Sequence, residues 1–211
     1  MKEAYQNHLF WGIHGPLSSL TNIFFLVIAS GRTAFALTAL GALLWVYGMT
    51  IVGICLGRPV LPRKGKKILY VFLSALFSSF YLMILNFLNP LLALECTLFV
   101  ILAPVSLIGS GIIERVESME PEDALARALL EALVLGILII ALALIREPLG
   151  FGSLSVPGGT FGIIELFNHD TEGIIPLWII SSSTGAFLLL GYGMALFRFY
   201  RKRAGEAEDS E

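Results

Sequence analysis

Charge is scarce in this chain. Asp, Glu, Lys and Arg make up 14% of its 211 residues, 56% are hydrophobic, and the mean hydropathy is +0.83. A soluble domain of this length carries more polar surface, so the composition excludes an ordinary water-soluble globule and makes the bilayer the expected solvent. Cysteine is scarcer still. Cys55 and Cys96, both in apolar runs, cannot build the disulfide framework of a secreted domain. The three histidines, His8, His14 and His169, have no spacing that sets two on one helix face, so no metal centre built from them is expected. There is no Walker A loop, dinucleotide fingerprint or nucleophile elbow, and nothing suggests a nucleic-acid partner. The opening MKEAYQNHLFWG lacks a charged segment leading into a clean apolar core and a small-residue cleavage site, so no cleaved signal peptide is expected.

What the chain has in abundance is long apolar runs. Crossing roughly 30 Å of hydrocarbon takes about 20 residues. Five runs qualify: 34–57, 68–88, 91–113, 126–145 and 176–197. A sixth, 16–30, is shorter and opens on Pro16, so it would span only as a broken helix. Six spans put twelve of the fourteen Lys and Arg on one side, with only Arg32 and Arg146 opposite. The excess of positive charge then places both termini in the cytoplasm, the membrane being the inner (cytoplasmic) one. The expected fold is all-α, a single six-span domain over 1–203 with an acidic, disordered tail at 204–211. Pro121 suits the first turn of the fifth span, with Glu122 and Asp123 at the positive end of its dipole. The glycine-rich stretch 149–175 should lie on the outer face, with a short interfacial helix near 160–168.

The spans are not uniform. Pro104 and then Gly109-Ser110-Gly111 interrupt the fourth run, just as Pro16 and its short length mark the first. These hold corresponding positions in two three-span halves, about 10–88 and 91–197, which an odd span number makes inverted. Broken helices at matched positions of inverted repeats point to a midplane site. Within the runs, Glu95 and Glu131 are costly unless paired or hydrated, and both lie close enough to a span end to reach the interface. Arg146 and Glu147 should end the fifth span, either capping a neighbouring half-helix or anchoring at the interface.

At ALIREPLGFGSLS, residues 143–155, an apolar helix runs into Arg146-Glu147 and a Leu-Gly-x-Gly-x-Leu. This resembles membrane subunits of the Rnf and sodium-pumping Nqr redox complexes, above all the E-type Rnf subunit, equivalent to the D-type Nqr subunit. The resemblance covers nearly the whole chain. The Gly15-Pro16 entry and LYVFLSALFSSFYLMILNF (69–87) are similar to the family's first and third spans. It implies two homologous subunits of opposite topology around a pseudo-twofold axis, with half-helices in the first and fourth spans. The cysteines of the two halves would hold an iron–sulfur cluster, which passes electrons between flavin subunits while the complex moves Na⁺ or H⁺.

The family's fourth span has a proline, then an Asn-Cys pair six residues on, then Arg-x-Glu. Two registers fit. In one, Pro90 is the proline and Cys96 the metal ligand, with Glu95 for Asn and His14 as a conceivable second ligand. In the other, Pro104 is the proline, Gly109-Ser110 replaces Asn-Cys, and Arg115-Val116-Glu117 supplies Arg-x-Glu. The second is favoured, because it recovers Arg-x-Glu and lies at the glycine-broken part of the run. The first-span cysteine is expected near Ile23–Phe25, where there is none. The half-helix motif is then Pro104, Gly109, Ser110, Gly111, Arg115 and Glu117, and the helix-end motif is Arg146 and Glu147. The expected protein is a non-catalytic subunit of a redox-driven, ion-translocating complex, a scaffold or gate beside a homologous membrane subunit and other redox subunits. It would hold no cofactor by itself, an iron–sulfur cluster shared with a partner being the alternative. A stand-alone inverted-repeat transporter of a small solute or ion, or an assembly factor, would use the same layout.

Overall fold

Long apolar runs leave the backbone no water to bond with, so it must satisfy itself as helix. A computed structural model describes residues 19–58, 65–116, 119–158, 162–168 and 178–208. Its helices are α1 (Leu20–Ala29), α2 (Thr33–Gly57), α3 (Lys66–Leu88), α4 (Pro90–Gly109), α5 (Ile112–Val116), α6 (Pro121–Phe151), α7 (Trp178–Ser181) and α8 (Ser183–Glu208). The chain is mostly helical. Four of these helices, α2, α3, α4 and α6, are long and apolar enough to cross a membrane. Their ends follow local chemistry. Asn89 caps α4 by accepting the Leu92 N–H at 3.0 Å, with Pro90 at the first position. Pro121 opens α6 with Glu122 and Asp123 in its first turn, and Gly152, at φ 67°, closes it.

The central pair is α2 against α6, the most extensive helix contact in the bundle. Small residues let the backbones approach, as in membrane helix pairs generally. Ala124, Ala128, Ala132 and Gly136, each four apart, line one face of α6, and Ala36, Ala39 and Ala42 are buried on α2. A β-carbon at Gly136 would collide with Leu40. By contrast α3 buries few side chains and exposes Phe72, Leu76, Met83 and Phe87, a face suited to lipid.

The mostly helical fold accords with the all-α expectation, and one element of it needs correction. In place of an interfacial helix near 160–168, strand β1 (Ser153–Pro157) pairs antiparallel with β2 (Ile163–Asn168), with a bulge between Leu154 and Ser155. The physical reason lies in Gly158 and Gly162, joined by a 2.8 Å backbone bond with Gly162 at φ 85°, and in β-branched Val156, Ile163 and Ile164. The hairpin lies over one end of the bundle. Ser155 Oγ accepts the Ala34 N–H at 3.3 Å, and Asn89 Nδ2 donates to Gly162 O at 3.0 Å. The opposite end carries the basic residues Arg58, Lys66 and Lys67. There Arg58 donates to Val116 O and, at 2.9 Å, to Met119 O, tying α2 to the turn before α6.

The sixth run also breaks, which was not expected. Ser182 separates α7 from α8, its Oγ accepting the Gly185 N–H at 3.2 Å as an N-cap. The helix continues to Glu208, through the first residues of the stretch expected to be disordered, since Ala204, Glu206 and Ala207 favour helix.

Pro104, expected to interrupt the fourth run, does not. Helix α4 passes through it and stops only at Gly109. Proline cannot donate to Val100 O, one turn before it. Ser78 of α3 does so instead, its Oγ donating to Val100 O at 2.7 Å. Ser78→Ala should therefore cost about 1–3 kcal/mol in thermal unfolding of the reconstituted protein, because it leaves a buried carbonyl unpaired. In the Pro104→Ala background, where the backbone N–H regained by the substitution supplies the donor, the same change should cost clearly less.

Candidate polar junctions at the helix breaks

A helix end inside an apolar bundle exposes carbonyls or N–H groups that need partners. The candidate site residues gather where this happens, in two junctions built around arginines.

The first junction lies where α4 stops. Gly111, at φ 67°, turns the chain into α5. Ser110 bonds to Leu107 O at 2.8 Å. Arg115 reaches back over the break, donating from Nη2 to Ser110 O at 2.8 Å and from Nε to Gly111 O at 3.4 Å. Its remaining donors form a two-pronged pair with Glu131 of α6, at 2.8 and 3.3 Å, with both side chains under 20% exposed. Glu131, expected to need pairing or hydration, is thus paired with Arg115. The backbone of the break draws Arg115 inward, and Arg115 supplies the counter-charge.

The same break receives α1. A β-carbon at Gly109 would collide with Thr21 Oγ1 and come within 2.8 Å of Ser19 Oγ, so only glycine lets the first turn of α1 seat there. One turn earlier, Ser106 Oγ donates to Asn22 Oδ1 at 2.7 Å and lies 3.1 Å from Tyr47 Oη. Asn22, Tyr47 and Ser106 are all buried. Sequence reading places the facing stretch of the first span at Ile23–Phe25. The structure instead brings Ser19, Thr21 and Asn22 to Gly109 and Ser106. An asparagine inside an apolar run was the available signal.

The second junction lies at the hairpin end. Here α1 stops at Ala29 and α7 at Ser181, and one guanidinium serves both. Arg146 donates from Nη1 to Val27 O and Ser30 Oγ, each at 3.0 Å, from Nε to Ile180 O at 3.0 Å, and from Nη2 to Ser181 O at 2.7 Å. A cation at two helix C-termini meets both dipoles favourably. Glu147 serves the neighbouring N-terminus, its Oε2 accepting the Thr33 N–H at 2.7 Å and the Thr33 hydroxyl. Helix α6 runs on to Phe151, so Arg146 and Glu147 lie inside it and are buried, not at its end. Of the two roles open for them, capping is the one the structure displays.

The remaining candidates fall elsewhere. Glu117 lies outside the described residues. Glu95 is exposed, while Cys96 is fully buried in the core. Cys55 sits near the other end of the bundle from Cys96, and both are free. No group of three His, Cys, Asp or Glu residues that could hold a metal occurs among the described residues. Outside the apolar part, Lys67 holds the Glu114 carboxyl below its usual range through a 2.6 Å bond, on an exposed surface.

No protein-family model matches the sequence, and no curated protein matches it.

Removing one member of the Arg115–Glu131 pair leaves a buried charge alone. Arg115→Leu should destabilise the protein by about 3–5 kcal/mol, while Arg115→Leu with Glu131→Leu should recover much of that loss, as read from unfolding midpoints in nanodiscs. Arg146→Lys keeps the charge but cannot span four acceptors on two helices. It should speed proteolysis between α7 and α8, followed by mass spectrometry of the fragments.

Proposed function

We propose that the chain is an integral membrane subunit of a redox-driven, ion-translocating assembly of the Rnf/Nqr type, serving as scaffold and gate rather than as cluster carrier. The observation that carries this reading is the seating of the first short helix, by its polar first turn, on the glycine break of the fourth. Four long apolar helices with short apolar helices before and after them accord with six spans in two inverted halves. The charge asymmetry supports both termini in the cytoplasm of a cell whose inner membrane holds the protein.

In this reading α1 is the moving part. It touches α4 through Thr21 and Asn22, and α6 through Arg146. Withdrawing it from Gly109 uncovers Asn22, Ser106 and Tyr47, hydroxyl and amide groups that can hydrate a passing ion. The homologous partner of opposite topology and the redox subunits would drive that movement, and this chain needs no cofactor of its own for it.

Purifying the tagged chain from its native membranes tests the proposal. We expect flavin-bearing and iron–sulfur-bearing subunits and a homologous membrane subunit at fixed stoichiometry. Any cluster signal in the EPR spectrum of the reduced complex should persist in Cys96→Ser. A cofactor-free homo-oligomer that transports a solute would replace this reading with the stand-alone transporter. Loss of the cluster signal in Cys96→Ser would return Cys96 to the ligand position.

A further inference from the structure

The second junction leaves one atom unaccounted for. Glu147 is fully buried, and while Oε2 takes both Thr33 donors, Oε1 has no hydrogen-bond partner among the described residues. A buried carboxylate oxygen without a donor is among the costliest groups an apolar bundle can hold. The nearest cation does not relieve it by contact, because the Arg146 guanidinium is engaged by Val27 O, Ser30 Oγ, Ile180 O and Ser181 O. The other charged group close by, Arg32 at the N-cap of α2, lies over the Phe151 ring, 5.4 Å from its centroid. Helix α1, helix α7 and strand β1 carry no titratable side chain, and on α2 only Tyr47 and Cys55 do, well along the helix.

We propose that Glu147 Oε1 is a binding position for an exchangeable monovalent cation at the hairpin end of the bundle. This deepens the ion-translocating reading and rests on it. The fixed half of the carboxyl, Oε2, anchors the side chain to the N-terminus of α2, and the free half, Oε1, takes the ion. A proton and an alkali cation such as Na⁺ share this chemistry. Binding there couples to the gate through adjacent residues of α6, because Arg146 holds the end of α1 while Glu147 holds the start of α2. The ion therefore sits beside the Ser30–Arg32 turn that joins the two helices.

The test uses dicyclohexylcarbodiimide, which modifies carboxyl groups inside membranes. The full chain, reconstituted in vesicles, is labelled in Na⁺-free medium, and the adduct is located by mass spectrometry. Glu147 should be modified, with the adduct absent in Glu147→Gln, which keeps an oxygen for Thr33 and should melt near the parent protein. If Na⁺ is the ion, labelling should be at least halved by NaCl but not by choline chloride. If a proton is the ion, labelling should fall with rising pH and ignore Na⁺. Either pattern supports the site. Absence of the adduct in the folded protein, when the chain unfolded in detergent is modified at Glu147, overturns it. So does labelling that responds to neither pH nor Na⁺. The isolated chain suffices, so the site can fail while the subunit reading stands. Equally, the co-purification can fail while the site stands.

Discussion

A helix that stops inside an apolar bundle strands backbone groups where water cannot reach them, and each stranded group costs several kcal/mol. Among the described residues, helices stop after Ala29, Gly109 and Ser181 within or beside the apolar bundle. Most of its buried charge is explained by those stops. Arg115 covers the carbonyls at Ser110 and Gly111, and Arg146 covers those at Val27, Ile180 and Ser181. Glu147 covers the N–H at Thr33. Pro104 creates a smaller defect of the same kind, and Ser78 repairs it from a neighbouring helix.

The repairs require the donors to be held in place, which the packing of α6 on α2 provides. Alanine and glycine at four-residue spacing bring the two helices close. Helix α6 then presents Glu131 to one break and Arg146 with Glu147 to the other, roughly 22 Å apart along its axis. Each junction contains one arginine and one glutamate, Arg115 with Glu131 and Arg146 with Glu147. Arginine suits the task better than lysine, since its fixed fork of donors can bridge two or more carbonyls at once.

The long helices were legible because run length alone decides them. The break at Gly109–Gly111 was legible because glycine there permits a φ of 67° that other residues avoid. Pro104 misled, since its effect depends on Ser78, a partner from another helix. Arg146 and Glu147 were legible as a pair but were placed at a span end, because hydropathy stops at the first charge. The helix does not, and continues to Phe151. The hairpin was hidden by glycine-rich composition, although its β-branched residues carried a strand signal. What no local pattern could reveal is that residues more than a hundred positions apart, such as Thr33 and Glu147, supply one another's missing bonds.

Helix α1 is consequently held at both ends by different means. At its C-terminal end the Val27 carbonyl and the Ser30 hydroxyl rest on a charged donor, Arg146, which also holds α7. Its N-terminal turn rests on neutral contacts, the Asn22–Ser106 bond and the fit of Thr21 over Gly109. Charge-assisted bonds are roughly twice as strong as neutral ones. In the proposed gate, displacement of α1 begins at Gly109 and pivots on Arg146. Because Glu147 follows directly and holds α2, the proposed change of charge at its Oε1 would act at the pivot itself. On that proposal the position that controls α1 is the junction farther from the surface α1 would uncover, which would separate the trigger from the opening by about the length of one short helix.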